Sequence, residues 1–462
     1  MKSVHGFGSS ILVAALGAAF GAVMLIATQV LGDFLVATGA EGFETVAAVL
    51  NVIGFLFLAI ALYVSAVVTA NTCSTVIAGQ TRVIALQRLI GASGSQLRRH
   101  FTRSGLVVGA MGAGIGTLAA VALSATVVTI LRANGTLPAG SYSVVPPTVV
   151  VPIIAVVLTT WGAFAVGSRR VLAVRPIEAL SSSVEPRRED VGGSRARSVI
   201  AVVLVGFGFG LLAVGVVLSG ISPYMVLVAA FGGFVSFTGV AIGATLFVPP
   251  ILALIGHVGS SNPAVLLSGR NALRAPGRAS RATIGLVIGV TLLVTFSVAL
   301  ATYQQEIFAD LDVPAKILRE QQRTFATINT IAGSLSGFSG VIAAVGVVNV
   351  LALGVVQRRR EVGLLRAIGF TGGQVRTMIV VEALQMVGTA IVLGLVLGTF
   401  YGWAGAVSLF RFSTHGAPIV PVLPLSTLVV VVIGGLLLAV VASLAPVRRV
   451  VTITPTEALA VD

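Results

Sequence analysis

Residues 82–98 read RVIALQRLIGASGSQLR, and residues 360–376 read REVGLLRAIGFTGGQVR. The two stretches agree at Arg82/Arg360, Leu86/Leu364, Arg88/Arg366, Ile90/Ile368, Gly91/Gly369, Gly94/Gly372, Gln96/Gln374 and Arg98/Arg376, 8 positions of 17. Composition alone would supply roughly one or two such matches. At the same spacing Asn71 aligns with Asn349. Farther along, residues 168–180 (SRRVLAVRPIEAL) match residues 447–459 (VRRVVTITPTEAL) at 7 positions of 13, with Pro176/Pro455 and Glu178/Glu457 among them. The offset is 278 for the first pair and 279 for the second, which implies one inserted residue between the matched segments. Two collinear matches at nearly one offset argue for an internal repeat and against chance likeness between arginine-rich loops.

The repeated loops lie between long apolar runs. Of the 462 residues, 56% are hydrophobic and 10% are charged, and the mean hydropathy is +1.06. A soluble domain carries about 25% charge, so a water-soluble globular protein is excluded. Runs of about 20 apolar residues cross about 30 Å of hydrocarbon as helices. Ten are expected, over 11–31, 46–70, 105–131, 148–167, 198–219, 224–248, 282–302, 331–356, 378–402 and 425–446. The first competes with a signal peptide cleaved near Ala37-Thr38-Gly39. The run from Ile11 is longer than a usual signal core, so a retained helix is the expectation.

The fold class expected is therefore an all-α polytopic membrane protein, with two four-helix repeats joined by a two-helix insert. The first repeat spans 1–180, the linker and insert 181–268, and the second repeat 269–462. Six helices separate equivalent positions. An even number leaves both copies with one orientation, a parallel repeat.

Charge sets the expected topology. With both termini on one side, 24 of the 29 Lys and Arg residues fall there, while the 15 acids divide almost evenly. That side is read as cytoplasmic, which places both termini inside a multi-pass protein of the cell membrane. The net +14 becomes +16 inside and −2 outside. It is a topology signal that calls for no nucleic acid partner, and anionic lipid headgroups attract the same arginines.

Several chemistries are missing. Cys73 is the single cysteine, and His5, His100, His257 and His415 are unpaired at helical spacing, so no disulfide and no metal site is expected. The two lysines, Lys2 and Lys316, do not follow glycine, so the chain has no phosphate loop of the Gly-Lys-Ser/Thr kind. Hydrolase signatures are absent as well. Energy for transport would come from a partner or an ion gradient, and the chain is not read as an enzyme.

The second repeated loop carries its own instructions. Arg358, Arg359 and Arg360 close one membrane helix, and Leu364, Leu365 and Ile368 form an apolar stripe at helical spacing. Gly369 ends the short helix, and Thr371-Gly372-Gly373 turns the chain into the next span. The expected product is an amphipathic helix, apolar on one side and basic on the other. It could lie among headgroups or dock into a cytoplasmic partner, and duplication favours a two-fold partner.

Within the spans, Asn51, Asn71, Asn349 and Glu382 stand out, with Gln385 one turn after Glu382. The asparagines are read as glue between helices, and Glu382 as the partner of an arginine. Gly112-x-x-x-Gly116 and Gly394-x-x-x-Gly398 permit close helix approach. Pro249-Pro250 is expected to end the sixth span.

The string RRREVGLLRAIGFTGGQVR, following a helix that contains Asn349, resembles the signature of FtsX-like ABC transporter permeases, the group with MacB- and LolC-type proteins. The Pro455-x-Glu457-Ala458-Leu459 ending resembles that family too. Two four-helix copies joined by two helices resemble its ten-helix bacitracin-export form. The first copy departs at Val83, where the second has Glu361. The resemblance implies that Arg82, Leu86, Arg88, Gly91 and Arg98, and likewise Arg360, Glu361, Leu364, Arg366, Gly369 and Arg376, contact an ATPase homodimer. It implies that the segments with Pro176, Glu178, Pro455 and Glu457 pack against the same surface. No cofactor is implied in this chain; ATP and magnesium would belong to the partner. One permease chain per complex is expected.

Relatives usually carry a large extracytoplasmic domain after the first helix of a copy. Here residues 32–45 and 303–330 are too short to build a core. The second stretch is read as an ordered helical cap, with a solvated connector as the alternative. The function expected is export or membrane extraction of an amphipathic peptide, antibiotic or lipid-like molecule. The rivals are a non-transporting signalling subunit and an ion-driven carrier, the latter disfavoured by the scarcity of membrane carboxylates.

Overall fold

The computed structural model describes residues 7–37, most of 58–77, 80–134, 142–173, 195–222, 225–257, 276–309, 369–410 and 419–451. Among these the secondary structure is helical, without a strand. Seven helices are long and apolar enough to cross a membrane, and they coincide with seven of the ten expected spans. The tenth span appears as a shorter apolar stretch, Leu425–Val440, within a helix that continues to Val451. The expected span 331–356 and the loop 303–330 lie largely or wholly outside the described residues, and so does much of span 46–70. The chain divides into two compact units, Met1–Ser183 and Val184–Asp462.

The first unit holds α1 (Gly8–Ala37), helical turns between Leu58 and Ile77, α2 (Thr81–Leu89), α3 (Gly94–Ala133) and α4 (Val150–Gly167). A 3-10 turn precedes α4 at Pro147–Val149, and another follows it at Ser168–Ala173. Helices in lipid gain little from burying apolar surface against one another, so close packing of small residues holds them. The seam between α1 and α3 follows that rule. Gly112 faces Ala14 and Ala15, and a Cβ at Gly116 would overlap the Ala15 carbonyl. Ala14, Ala18 and Ala113 are wholly buried beside Val156 of α4.

The second unit holds α5 (Arg195–Leu218), α6 (Met225–Ile242), α7 (Ala244–His257), α8 (Pro276–Ala309), α9 (Gly372–Phe410) and α10 (Leu425–Val451). Its α8–α9 seam repeats the device. Gly394, Gly398 and Gly402 of α9 press on Val290, Thr291, Val294, Thr295 and Val298 of α8. At the 278-residue offset, Gly116 corresponds to Gly394, and Ala120 and Ser124 correspond to Gly398 and Gly402. Both glycine pairs singled out in the sequence therefore sit at helix crossings.

The insert helices α5 and α6 interlock through Gly208, Gly215, Gly232 and Gly239. Aromatic side chains bind them to α9: Phe209 meets Phe400 edge-on at 5.2 Å and stacks on Tyr401 at 6.2 Å. Tyr401 Oη also lies 2.9 Å from Ser236 Oγ of α6. The outward side of α5 carries Val199, Val203, Phe207 and Val217, all more than half exposed. Such a face is tolerable only against hydrocarbon.

One expectation changes. The sixth span ends at Gly243, and Pro249-Pro250 lie inside α7. A proline removes a donor and crowds the carbonyl four residues earlier. For this pair those carbonyls belong to Thr245 and Leu246, in the first turn of α7. The break therefore falls just upstream, where glycine absorbs it and Arg197 covers the freed Ile242 carbonyl with bonds of 3.1 and 3.2 Å.

Candidate coupling site

In the first copy the repeated loop is short helix, glycine turn, capped long helix. Helix α2 ends at Leu89 with Ile90 as its cap, and the chain turns away at Gly91, whose φ is +102°. Ala92 N–H donates to Gln87 O at 3.0 Å and Gly91 N–H to Arg88 O at 3.2 Å. This paired closure needs a residue in the left-handed region, where glycine pays no Cβ penalty. Two residues later Ser93 caps α3. Gln96 N–H donates to Ser93 Oγ at 3.2 Å, and Ser93 N–H donates to Gln96 Oε1 at 3.1 Å. Two orphan donors of the helix start are thereby satisfied reciprocally.

The second copy repeats the turn and cap. Gly369 holds φ +107°, Thr371 N–H donates to Gln374 Oε1 at 2.9 Å, and Gln374 N–H donates to Thr371 Oγ1 at 3.3 Å. Below it Val375 is buried against Phe370 and Ile379. A closely similar glycine φ and the same reciprocal cap in IGASGSQ and IGFTGGQ show that the duplication preserves a built turn as well as a string of letters.

The orientation of α2 differs from a simple apolar–basic split. Ile84 and Ala85 are almost fully buried, while Val83, Leu86, Leu89 and Ile90 are exposed, Ile90 by 87%. At 100° per residue, Val83, Leu86 and Ile90 share the face opposite Ile84 and Ala85. Helix α2 thus has two apolar faces, one docked and one open. The sequence reading had a single apolar face; small residues such as Ala85 permit docking, so the larger side chains are left outside.

An aromatic cluster ties the neighbouring helices together. Phe7 meets Phe164 at 5.0 Å and Phe101 at 6.3 Å, which joins the start of α1 to α3 and α4. A Cβ on Gly94 would meet Leu172 at 3.4 Å and the Arg88 guanidinium at 3.7 Å. Thr102 Oγ1 and Ser168 Oγ lie 3.3 Å apart. The 3-10 turn leading toward Pro176 and Glu178 therefore rests on the same loop. Residues 80–104 contain Arg82, Arg88, Arg98, Arg99 and Arg103 and no acid, so the open apolar face sits in a cationic surround.

Of the residues singled out in the sequence, Leu86, Arg88, Gly91 and Arg98 come together at this loop, and Arg82 lies on the α2 backbone. Gly369 and Arg376 occupy the matching turn and helix start of the second copy. Glu382 and Gln385 are buried on α9, and Gln385 O accepts from Thr389 Oγ1 at 2.8 Å. Arg360, Glu361, Leu364, Arg366, Pro176, Glu178, Pro455, Glu457, Asn51, Asn71 and Asn349 lie outside the described residues. Among the described residues no cluster of His, Cys, Asp and Glu could hold a metal ion. Phe7, Phe101 and Phe164 escaped sequence reasoning, because aromatic residues in an apolar chain carry no distinguishing pattern.

Long apolar helices and a duplicated, capped loop define the class as a two-copy polytopic membrane protein. The chain belongs to the FtsX-like permease family: the description "FtsX-like permease C-terminal" matches residues 55–176 and again residues 333–455, just over half its length. The two matches start 278 residues apart and end 279 apart, the offsets of the repeat. Each begins within the second expected span of a copy, so α1 and α8 fall outside it.

Among curated proteins, the chain is 31% identical over 137 residues to an uncharacterized ABC transporter permease, YknZ, of Bacillus subtilis; this covers 29% of the chain and 32% of the relative. It is 28% identical over 148 residues to a probable export ATP-binding/permease protein, MacB, of Pseudomonas entomophila, covering 32% and 21% respectively. A probable syringafactin export ATP-binding/permease protein, SyfD, of Pseudomonas syringae pv. tomato is 26% identical over 148 residues, with the same coverage. The matched segments thus span a third or less of these relatives.

Proposed function

We propose that this chain is the permease subunit of an ABC transporter, coupling ATP hydrolysis by a separate ATPase homodimer to export or membrane extraction of an amphipathic molecule. The observation that carries the reading is the duplicated loop, whose α2 presents Val83, Leu86 and Ile90 outward on a cationic rim. An exposed apolar helix face rimmed by one sign of charge suits a protein partner. Two such loops suit a two-fold one. The names of the relatives, which pair ATP-binding with permease or export, support the same assignment. In this reading the coupling loops and both termini are cytoplasmic, as the arginine distribution favours.

Closure of the ATPase dimer would move the two coupling helices together. In the first copy α2 leads through the Gly91 turn and the Ser93 cap into α3, and Phe7 ties α3 at Phe101 to α4 at Phe164, so displacement of α2 would reach these helices through the turn. Packed small-residue seams transmit such movement as shifts of whole helices.

The test is copurification of the untagged ATPase with the tagged chain, for wild type, Leu86→Glu, Ile90→Glu and Arg366→Glu. The proposal expects co-elution with wild type and its loss in the variants, which retain monodisperse behaviour. Co-elution that survives all three changes, together with unaltered ATP-dependent transport, would overturn it.

A further inference from the structure

At the end of α9 away from Gly369, a groove of about 500 Å³ lies between Leu395, Val396, Thr399, Phe400 and Trp403 on the helix and Pro421 on the segment before α10. That segment is a strap fixed on both sides. Trp403 Nε1 donates to Ile419 O at 2.7 Å, and Val422 N–H donates to Thr302 Oγ1 of α8 at 3.0 Å. At the corresponding place in the first copy the chain is anchored differently, Ser143 N–H donating to Asp33 Oδ2 of α1 at 3.1 Å, while the turn into the last helix is shared. Val149 N–H bonds Pro146 O there, and Thr427 N–H bonds Pro424 O in the second copy. The aromatic wall does not recur. Positions equivalent to Phe400, Trp403 and Pro421 are Ala122, Ala125 and Ser143. The shared turn therefore forms without the aromatic wall.

The chemistry of the wall selects its occupant. Irregular backbone facing hydrocarbon must hide its polar groups. Here the Ile419 carbonyl and the indole N–H are spent on each other, the Val422 N–H is spent on Thr302, and Pro421 has no N–H to satisfy. What remains is an open groove of aliphatic carbon, an indole and a phenyl ring, with Thr399 among them, on a membrane-spanning helix. A volume of this order is that of a small-molecule site. The geometry points to a binding site for the single hydrocarbon tail of an amphipath, held against Trp403 and Phe400 in the second copy alone. The inference rests on the proposed export function and supplies its entry point. In the proposed orientation the groove lies toward the outer leaflet, so the tail enters sideways from the bilayer while its headgroup stays at the interface.

Trp161 and Trp403 are the two tryptophans of the chain, which makes the test optical. Trp161→Phe is placed in phosphatidylcholine vesicles without ATPase or nucleotide, and a lysophosphatidylcholine brominated along its tail is titrated in. A bound tail quenches Trp403 along a saturating curve, whereas the reciprocal Trp403→Phe protein shows quenching of Trp161 that rises linearly with the bilayer content of bromine. Val396→Phe in the Trp161→Phe background fills the groove from an exposed position and converts the saturating curve to a linear one. Phe400→Ala weakens binding and shifts the midpoint upward. Linear quenching of Trp403 in the unfilled protein, or saturation unchanged by Val396→Phe, overturns the site. Saturable quenching in this nucleotide-free experiment stands for the groove by itself; if the ATPase and ATP, added afterwards, fail to release the brominated tail, the export reading falls and the groove remains.

Discussion

Gly91 and Gly369 stand 278 residues apart and hold nearly the same backbone angle, φ +102° and +107°. No other described glycine takes a positive φ. Each lies at the turn into a long apolar helix, three residues before it begins, so the chain makes the same joint twice.

Replacing either glycine by alanine forces a Cβ into the left-handed region, at a cost of about 1–2 kcal/mol. Nothing lies within 4 Å of the added carbon, so the strain is in the backbone alone. Gly91→Ala and Gly369→Ala are expected to lower the melting temperature in detergent and to weaken ATPase stimulation equally. Unequal effects would show that the two joints do not share one task.

The caps after those glycines make a milder, additive pair. Ser93→Ala and Thr371→Ala should each cost about 1 kcal/mol, and the double variant the sum, since separated sites add. Thermal scanning of the four proteins checks this. Ser93→Thr should behave as wild type.

Gly116 and Gly114 lie two residues apart on α3 and should differ sharply. A Cβ at Gly116 collides with the Ala15 carbonyl, whereas Gly114 faces open space. Gly116→Val therefore pushes α1 from α3 and costs at least the 1–3 kcal/mol of overpacking, while Gly114→Val is tolerated. Protease resistance of the membrane-inserted proteins separates the two. Gly394→Val should reproduce the damage in the second copy.

Tyr401→Phe removes the hydroxyl that meets Ser236. Hydrogen bonds between membrane helices average about 0.6 kcal/mol, so a small fall in melting temperature is expected. Phe209→Ala loses two ring contacts and should loosen α5 and α6 more, read as faster hydrogen exchange in the insert. An insert unaffected by Phe209→Ala would mean that the glycine seams alone hold it.

Thr302→Val strands the Val422 N–H at the strap. An unsatisfied buried donor costs about 1–3 kcal/mol. Thr302→Ser keeps the hydroxyl and should restore wild-type stability, which distinguishes the hydrogen bond from packing.

Membrane residence, the repeat and its offset, the glycine-closed joints and the glycine seams were all legible in the sequence. Each depends on chain composition or on residues within a turn of one another: IGASGSQ and IGFTGGQ carry their own cap, and a glycine every four residues marks one helix side. Tertiary structure decided what local pattern leaves open. Periodicity places Ile84 and Leu86 on different sides of α2 without saying which side docks; in the folded chain Ile84 and Ala85 are buried and Leu86 is left open. The helix break moved to Gly243 because Pro249-Pro250 act one turn upstream and Arg197 was there to cover a freed carbonyl. The Ser236–Tyr401 pair joins residues 165 apart, and the Trp403 groove needs a strap held from α8. Such pairings are fixed by which shapes fit when distant helices meet, and a chain that is apolar throughout carries little contrast to mark them beforehand.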